Sequence, residues 1–576
     1  MINKSKVLFI TISFLMLVGL MVSPAIAQET NNVKPAMTAD ATATASNKEE
    51  LAGNAKDATE TVKTQTAGDA EKVTEAVKET SKAKKKKYKK VDSKIIQKMI
   101  FSLIGGLGIF LLGMKYMSEG LQTIAGSRLK SLIKLVTNNR FLAVGVGSAV
   151  TVLVQSSSVT TVMVVGFVNS GIMELSQAIG VILGANIGTT ITGWIIALKI
   201  GKYGLPMLGI AVFFFIFSKK ETLKYLALTV MGIGMVFFGL ELMKNGFKPI
   251  KEIEAFNTAF QAFTADSYFG VLKCAAVGCL LTVIVQSSSA TLGITMALAA
   301  TGVLPFETAA ALVLGENIGT TITAMLASIG STSNAKRAAY FHSLFNLIGV
   351  FWITLIFSQY MDFINYLVSN FDEALSSFVK VKKKGELATG VDPLIFMKIA
   401  TTHTIFNIVN TLAFIPFTGV FAKFLMKAVK DTKGKKENIT GLDSTLIESP
   451  FAAVEQCQHE VDKMIVTNRK MLATVAEYIE NPELSKKSIT SVFEAENILD
   501  KVQAEVTEFL TELFTQNLSA EQGEDARKLL ILADELESIS DAVMQQMKHF
   551  LRLKENDLEF TAEQKAEFLK LHKAVA

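Results

Sequence analysis

The chain has 576 residues, 50% of them hydrophobic and only 19% charged, with 38 phenylalanines. Soluble domains average nearer a quarter charged, so a purely soluble protein is excluded. The net charge of +5 sits in tails and loops rather than on one folded face, which excludes a nucleic-acid partner. Cys274, Cys279 and Cys457 fit no metal or disulfide spacing. The first two lie in an apolar run, where cysteine serves as a small hydrophobe.

Residues 1–27 read as a secretory signal peptide. Lys4 and Lys6 precede an apolar stretch, and Ala25-Ile26-Ala27 supplies the small residues of a cleavage site. An uncleaved anchor helix is the alternative. Residues 28–94 have no aromatic before Tyr88 and cannot bury enough apolar surface to offset ordering, so they read as a disordered tail. Seven lysines lie within 82–90, a run that would normally stay cytoplasmic beside a first span.

From 95 to 427 the apolar residues fall into runs of about 20, the length that crosses a bilayer. The runs are 95–122, 141–171, 177–200, 203–218, 223–243, 269–300, 306–330, 336–358 and 396–427. Four of them carry polar interruptions, at Gln155, around Asn186, at Gln286 and around Asn317. Gln155, Ser156, Ser157 and Ser158 form a Q-S-S-S tetrad followed by G-A-N-I-G-T-T at 184–190. Gln286, Ser287, Ser288 and Ser289 repeat the tetrad, followed by G-E-N-I-G-T-T at 315–321. Glutamine to first glycine is 29 positions in both copies, and the copies lie 131 apart. Gly106, Gly108, Gly113 and Gly120 recur 126 positions later as Gly232, Gly234, Gly239 and Gly246, a spacing suited to close helix packing.

If each tetrad sits in a re-entrant hairpin, each repeat crosses three times, so repeat 2 (223–358) is inverted relative to repeat 1 (95–222). A final span after an outer loop makes seven crossings, with a basic linker closing the segment 359–442. An exported N-terminus then puts Arg128, Lys130, Lys134, Arg140, Lys219, Lys220, Lys224, Lys336, Arg337 and the cluster 423–436 inside, as positive-inside bias requires. Only the N-terminal lysines disagree.

Unsatisfied polar groups in hydrocarbon cost several kcal/mol, so breaks of this kind persist where they line a site. Serine and threonine hydroxyls donate and accept, and glutamine and asparagine add a carbonyl oxygen and an amide. A broken helix offers N–H groups to an anion and carbonyls to a hard cation. Glycines at 184, 188, 315 and 319 would let the backbone turn sharply and approach a ligand. Neither motif holds Arg or Lys, so an anion would need co-bound cations. Ordinary polar packing between helices is the bland alternative. Glu316 is the one ionisable residue in the motifs and marks a function by default. It is expected to face the interior and to act in cation coupling or pH dependence, unless it pairs with a basic loop residue.

The paired motifs resemble those of the type II sodium/phosphate cotransporters in their bacterial form, over about 95–427. The resemblance implies one phosphate and Na⁺ site between inverted repeats. Its residues would be Gln155, Ser156, Ser157, Ser158, Asn186, Thr189, Thr190, Gln286, Ser287, Ser288, Ser289, Asn317, Thr320 and Thr321; Glu316, where the first copy has Ala185, is a departure between the copies. His342-Ser343-Leu344-Phe345-Asn346 resembles the family's His-x-x-Phe-Asn element, and His403-Thr404-Ile405-Phe406-Asn407 repeats it. Repeat 1 lacks this element. It also lacks the acidic residue that animal members carry after the first motif, which leaves ion stoichiometry open.

Residues 443–576 read differently, as a soluble helical bundle. Ser449-Pro450 opens a helix and Asn481-Pro482 stops it. Capping boxes at Ser519–Gln522 and Thr561–Gln564 start two more. This part resembles a single PhoU-like repeat. Glu496 with Asp500, and Glu537 with Asp541, resemble the carboxylate pairs with which PhoU proteins hold a divalent or iron-type metal. An ordinary solvated acidic face is the alternative.

The resulting expectation is an all-α polytopic protein of the bacterial cytoplasmic (inner) membrane, with inverted repeats, broken helices, re-entrant hairpins and a cytoplasmic C-terminal bundle. It would carry inorganic phosphate with Na⁺ by alternating access. Its other partners would be the bilayer and a homo-oligomer or regulatory contact through the bundle. A membrane phosphate sensor that signals through the bundle without net transport is the second reading. No catalytic constellation is present, so no enzyme is expected.

Overall fold

A computed structural model describes residues 93–135, 139–198, 203–252, 263–370, 392, 394–430, 439–481, 483, 485–516 and 518–575. The signal segment, the N-terminal tail before 93, most of the expected outer loop, the linker 431–438 and the side chains of Arg128, Lys130 and Lys134 lie outside these residues. Every extended element described is helical. Repeat 1 comprises α1 (Ser93–Lys134), α2 (Arg140–Val154), α3 (Ser157–Ser170), α4 (Leu175–Gly188), α5 (Ile191–Ala197) and α6 (Gly204–Phe217). Then come α7 (Glu221–Phe247), α8 (Tyr268–Val285), α9 (Ser288–Ala300), α10 (Phe306–Ala327), α11 (Ser333–Leu355) and α12 (Phe357–Asn370). The last membrane run holds α13 (Ile395–Phe414) and α14 (Thr418–Ala428), and the bundle holds α15 (Pro450–Glu480), α16 (Lys486–Leu513), α17 (Ala520–Glu555) and α18 (Ala562–Val575).

The two copies of the motif pack alike. Gly147 of α2 lies against the Val181 carbonyl of α4, and Gly278 of α8, 131 positions on, lies against the Leu312 carbonyl of α10. Gly184 meets the Val144 carbonyl as Gly315 meets that of Ala275. These contacts overturn one expectation. The G-x-N-I-G-T-T segments are not breaks: α10 runs unbroken through Asn317, and between α4 and α5 the chain merely tightens at Thr189 and Thr190, both in right-handed helical conformation. Their glycines serve helix-to-helix contact with the hairpin helices α2 and α8, because a side chain there would strike backbone. The last span does break, at the short 3₁₀ turn holding Pro416, which cannot continue a helix. The outer loop expected from 359 opens instead with α12, whose Tyr360, Met361, Ile364 and Val368 are buried.

Among the described residues, seven helical runs are long and apolar enough to cross a membrane: Ser93–Gly126, Leu175–Ala197, Glu221–Ile250, Tyr268–Val285, Phe306–Ala327, Ser333–Leu355 and Ile395–Ala428. This is a multi-pass membrane protein. The membership differs from expectation by one element. The 14 residues of α6 are too few to span a core of about 30 Å upright, while α8 alone is long enough. Leu205, Ile210, Phe213, Phe214, Ile216 and Phe217 of α6 are exposed, a face suited to lipid.

One end of the helices collects loops that positive-inside bias groups together. Arg140 Nη1 donates to the Ile415 carbonyl at 3.3 Å. Thr332 N donates to Asn169 Oδ1 at 2.8 Å. Arg337 Nε donates to the Val429 carbonyl at 3.1 Å. The bundle joins the same end, where α15 packs on α3. Within the bundle the expected caps are present: Ser519 and Gln522 bond reciprocally, as do Thr561 and Gln564. Asn468, the polar interruption on the apolar face of α15, donates to the Leu536 carbonyl at 2.8 Å.

The longest interface joins α1 to α7, the helices whose glycines recur at 126. Gly106 faces the Gly239 carbonyl and Gly113 faces the Gly232 carbonyl, so the two helices run antiparallel. Shifting either contact by 126 in both members turns it into the other. The equivalent helices are therefore related by a pseudo-two-fold axis that crosses their own interface, which is the geometry of an inverted repeat. A Cβ at Gly113 would sit 2.6 Å from Val236 N and 2.7 Å from the Gly232 carbonyl oxygen, whereas one at Gly105 would meet nothing within 4 Å. Gly113→Ala is thus predicted to cost about 1–3 kcal/mol, and Gly105→Ala to leave stability unchanged or slightly raised. Melting of the detergent-purified variants checks both; equal effects would mean that the close contact is absent.

Candidate functional site

Each tetrad stops one helix and starts the next by the same local chemistry. Gln155 ends α2 in the left-handed region at φ 58°, and Gln286 ends α8 at φ 56°. Outside glycine that conformation is uncommon, because Cβ crowds the following carbonyl by about 1–2 kcal/mol. The next serine is extended and caps the new helix: Ser156 Oγ accepts from Val159 N, and Ser287 Oγ from Ala290 N, both at 3.2 Å. Each capping hydroxyl keeps its proton free to donate. The side chains of Ser157, Ser158, Ser288 and Ser289 carry no hydrogen bond among the described residues, and they line the first turn of α3 and α9. Each half-helix start thus offers free N–H groups beside unengaged hydroxyls that can donate, a lining suited to an oxyanion.

The motif asparagines are held differently. Asn186 Nδ2 donates to the Ile182 carbonyl at 2.8 Å, and Asn317 Nδ2 to the Val313 carbonyl at 3.0 Å. Their free oxygens then accept from a second asparagine. Asn346 Nδ2 reaches Asn186 Oδ1 at 3.2 Å, and Asn407 Nδ2 reaches Asn317 Oδ1 at 3.4 Å, with His403 Nε2 also 3.2 Å from that oxygen. Repeat 1 has no histidine element in its own sequence, yet it has one in space, supplied by α11. The element on α13 serves repeat 2. Thus α13 stands to Asn317 as α11 stands to Asn186. Buried and without partners are both ring nitrogens of His342, Nδ1 of His403, Asn346 Oδ1 and Asn407 Oδ1, which together make a polar interior with unused capacity.

Thr190 and Thr321 each donate back to the carbonyl three residues earlier at 2.8 Å, and Thr320 donates to the Glu316 carbonyl at 2.9 Å. These bonds engage the hydroxyl protons and leave oxygen lone pairs for a cation. Thr189, like both of its neighbours in the motif, is buried. Thr192, which sequence reasoning passed over, donates to Gln155 Oε1 at 3.4 Å and ties the first tetrad to α5. Gly193 beside it packs between Leu292 of α9 and Ala400 of α13. Trp194 Nε1 donates to Thr404 Oγ1 at 2.9 Å. Short α5 therefore connects the first tetrad to the helix that follows the second. A signal for the missed residues existed. Asn410 and Thr411 continue the helical spacing of His403 and Asn407 on an otherwise apolar helix, and all four are buried.

The copies differ in two respects. Gln155 is 5% exposed and bonded to Thr192, while Gln286 is exposed. Glu316 is 1% exposed and accepts from Thr295 Oγ1 at 3.1 Å; it makes no ion pair among the described residues, which removes the basic-loop alternative.

The bundle bears on α3, the helix that begins at the first tetrad. Gln456 Nε2 donates to the Gly166 carbonyl at 3.4 Å and Lys463 Nζ to the Ser170 carbonyl at 3.2 Å, with Leu446 packed on Gly166. Burial in the bundle's own core, with Glu460 alongside, pushes the Cys457 thiol up to about 12, so it stays neutral there. The antiparallel register of α16 and α17 does set Glu496 near Asp541 and Asp500 near Glu537. Burial and the neighbouring carboxylates raise Glu496 and Glu537 above the usual carboxylate range. Yet no three of the described His, Cys, Asp or Glu side chains lie close enough to hold a metal. Glu496 bonds Asp541, while Asp500 and Asp541 are exposed and Lys548 lies near Glu496.

With this geometry in view, comparison with known proteins is decisive. The family model described as Na⁺/Pi-cotransporter matches residues 109–245 and 252–371. A Bacillus subtilis relative, "Uncharacterized protein YqeW", is 30% identical over 316 residues, covering 55% of this chain and 94% of the relative. The chain belongs to the Na⁺/Pi-cotransporter family. A Salmonella typhimurium relative named "Putative inorganic phosphate export protein YjbB" is 25% identical over 446 residues, 77% of this chain and 76% of that protein. "Sodium-dependent phosphate transport protein 2A" of Rattus norvegicus is 39% identical over 98 residues, 17% of this chain and 15% of its own length. No solved structure matches the chain. The matched region of this cotransporter-family chain holds both tetrads, both asparagine motifs and His342, while α13 and the bundle lie beyond it.

The left-handed glutamines carry a direct prediction. Gln155→Gly relieves the crowded Cβ and is expected to hold or raise the melting temperature, while the β-branched Gln155→Val lowers stability by at least about 1 kcal/mol. Equal melting of the two variants would mean that the break is not left-handed.

Proposed function

We propose that this chain is a secondary carrier that moves inorganic phosphate with Na⁺ across the bacterial cytoplasmic membrane, by alternating access around the paired tetrads. The observation that carries this reading is the duplicated break: two half-helix N-termini lined by unengaged serines, at equivalent positions of an inverted repeat. An anion held only by N–H and O–H dipoles needs accompanying cations, and the engaged threonines and asparagines leave oxygens for them. The roles assigned are phosphate to Ser156, Ser157, Ser158, Ser287, Ser288 and Ser289, with Gln155 and Gln286 closing over it. Na⁺ falls to oxygens of Asn186, Thr189, Thr190, Asn317, Thr320 and Thr321. Buried Gln155 and exposed Gln286 support a two-state cycle in which the repeats exchange these environments.

One relative's name speaks of phosphate export and another's of sodium-dependent phosphate transport. The direction of net flux follows the summed gradients, so one carrier serves either. A second reading has its own observation, the docking of the bundle on α3. In that reading the chain senses phosphate and signals through the bundle, placed on the cytoplasmic side, without net transport. Within the favoured reading the same contact makes the bundle a regulator of the first hairpin.

Labelled phosphate flux in proteoliposomes, with and without an imposed Na⁺ gradient, tests the proposal. Na⁺-driven accumulation is expected in the parent. Alanine at Ser157 or Ser288 is expected to raise the phosphate KM at least about tenfold, the loss of one charge-assisted hydrogen bond, with the fold retained. Saturable phosphate binding without flux would favour the sensor; neither binding nor flux would refute both.

A further inference from the structure

Glu316 and Thr295 form a buried pair that repeat 1 does not have. The Glu316 carboxylate lies inside the helix bundle of the membrane region with Oε1 bonded to Thr295 and Oε2 without a partner. The equivalents 131 positions earlier are Val164 for Thr295 and Ala185 for Glu316, and both of those apolar side chains are buried at 1% or less. Repeat 1 thus packs the same two sites with methyl groups. The hydroxyl and the carboxylate occur together in repeat 2, where the equivalent sites of repeat 1 pack without either.

A buried carboxylate keeps its charge only when a positive charge accompanies it. Among the described residues no such charge stands beside Glu316. Of the elements packed on α10, α3 and α9 hold no titratable side chain. The others are α8, with Tyr268, Lys273, Cys274 and Cys279; α11, with Lys336, Arg337, Tyr340 and His342; and α13, with Lys398 and His403. On α10 itself there is only Glu307. Lys398 pairs with Asp392, Arg337 bonds the Val429 carbonyl and His403 faces Asn317; none reaches Glu316. Seven residues before Thr295, on the same helix α9, lies Ser288 of the second tetrad.

We propose that Glu316 binds one unit of positive charge, a proton or a sodium ion, that crosses with phosphate through repeat 2. Thr295 is the positioning residue that holds the carboxylate. The charge is taken up when Glu316 is open to water and retained while α9 closes on α10. This rests on the transport reading above.

The test uses the full chain in proteoliposomes, comparing the parent with Glu316→Gln and with the double variant Thr295→Val, Glu316→Ala, which copies the repeat 1 pair. Reversal potentials give the charge moved per phosphate. Both variants are expected to retain phosphate transport and to move one positive charge fewer per phosphate. If the charge is Na⁺, the Na⁺ Hill coefficient falls while the response to a pH gradient stays. If it is a proton, that response is lost and the Na⁺ dependence stays. Variants that transport with unchanged charge, Na⁺ and pH dependence overturn the proposal. A second readout needs no flux: melting of the solubilised chain against pH and Na⁺ concentration. The double variant is expected to lose one of the parent's two dependences, and identical dependences overturn the proposal. A parent that moves no phosphate overturns the transport reading instead, and the melting series still decides Glu316.

Discussion

Inside hydrocarbon, every backbone N–H and C=O must find a partner within the protein, so a helix can stop there only where something replaces its ladder. The tetrads meet this constraint at two places with the same device. A left-handed glutamine turns the chain, and the following serine caps the next helix from its own hydroxyl. Ser118 Oγ donates to the Val154 carbonyl at 2.6 Å, taking up one group that the end of α2 leaves open. What remains unengaged is a set of donors at the start of α3 and α9. The candidate site consists of those donors, and everything else in the membrane region positions them.

Positioning comes from close backbone contact. Glycines let α2 lie on α4, α8 on α10 and α1 on α7, so the hairpins are clamped to helices that carry the asparagine motifs. Such contact is how helices associate where burial from water offers no drive. The internal two-fold makes each contact occur twice, and departures from it are therefore informative. Gln155 and Gln286 differ in exposure, and Ala185 and Glu316 differ in charge. The bundle adds a third asymmetry, because it hydrogen-bonds to α3 and, among the described residues, not to α9.

Much of this was legible in the sequence, because hydropathy, glycine spacing and the tetrads act locally. The duplicated motif, the inverted pairing of glycines 126 apart, the stop at Gln155 and Gln286, and both capping boxes of the bundle follow from residue type at fixed spacing. Other features depend on neighbours distant in the chain. Asn186 and Asn317 look like breaks in the sequence because polar residues in apolar runs often mark them. Here each returns its amide to its own helix and its oxygen to an asparagine some 160 or 90 positions away, so the helix survives. Thr192 and Thr295 are ordinary threonines until α5 and α9 are placed. The acids of α16 and α17 have a spacing right for a shared face, but spacing alone does not set how closely four carboxylates approach.

The central claim is that phosphate sits between the two half-helix N-termini. The most direct measurement is an experimental structure of the full chain with phosphate and Na⁺ bound. The account predicts density for the anion within hydrogen-bond distance of Ser157 and Ser288 together, near the middle of the membrane region. Phosphate bound elsewhere, or tetrads separated by more than about 20 Å, over half of a roughly 30 Å hydrocarbon core, would contradict it.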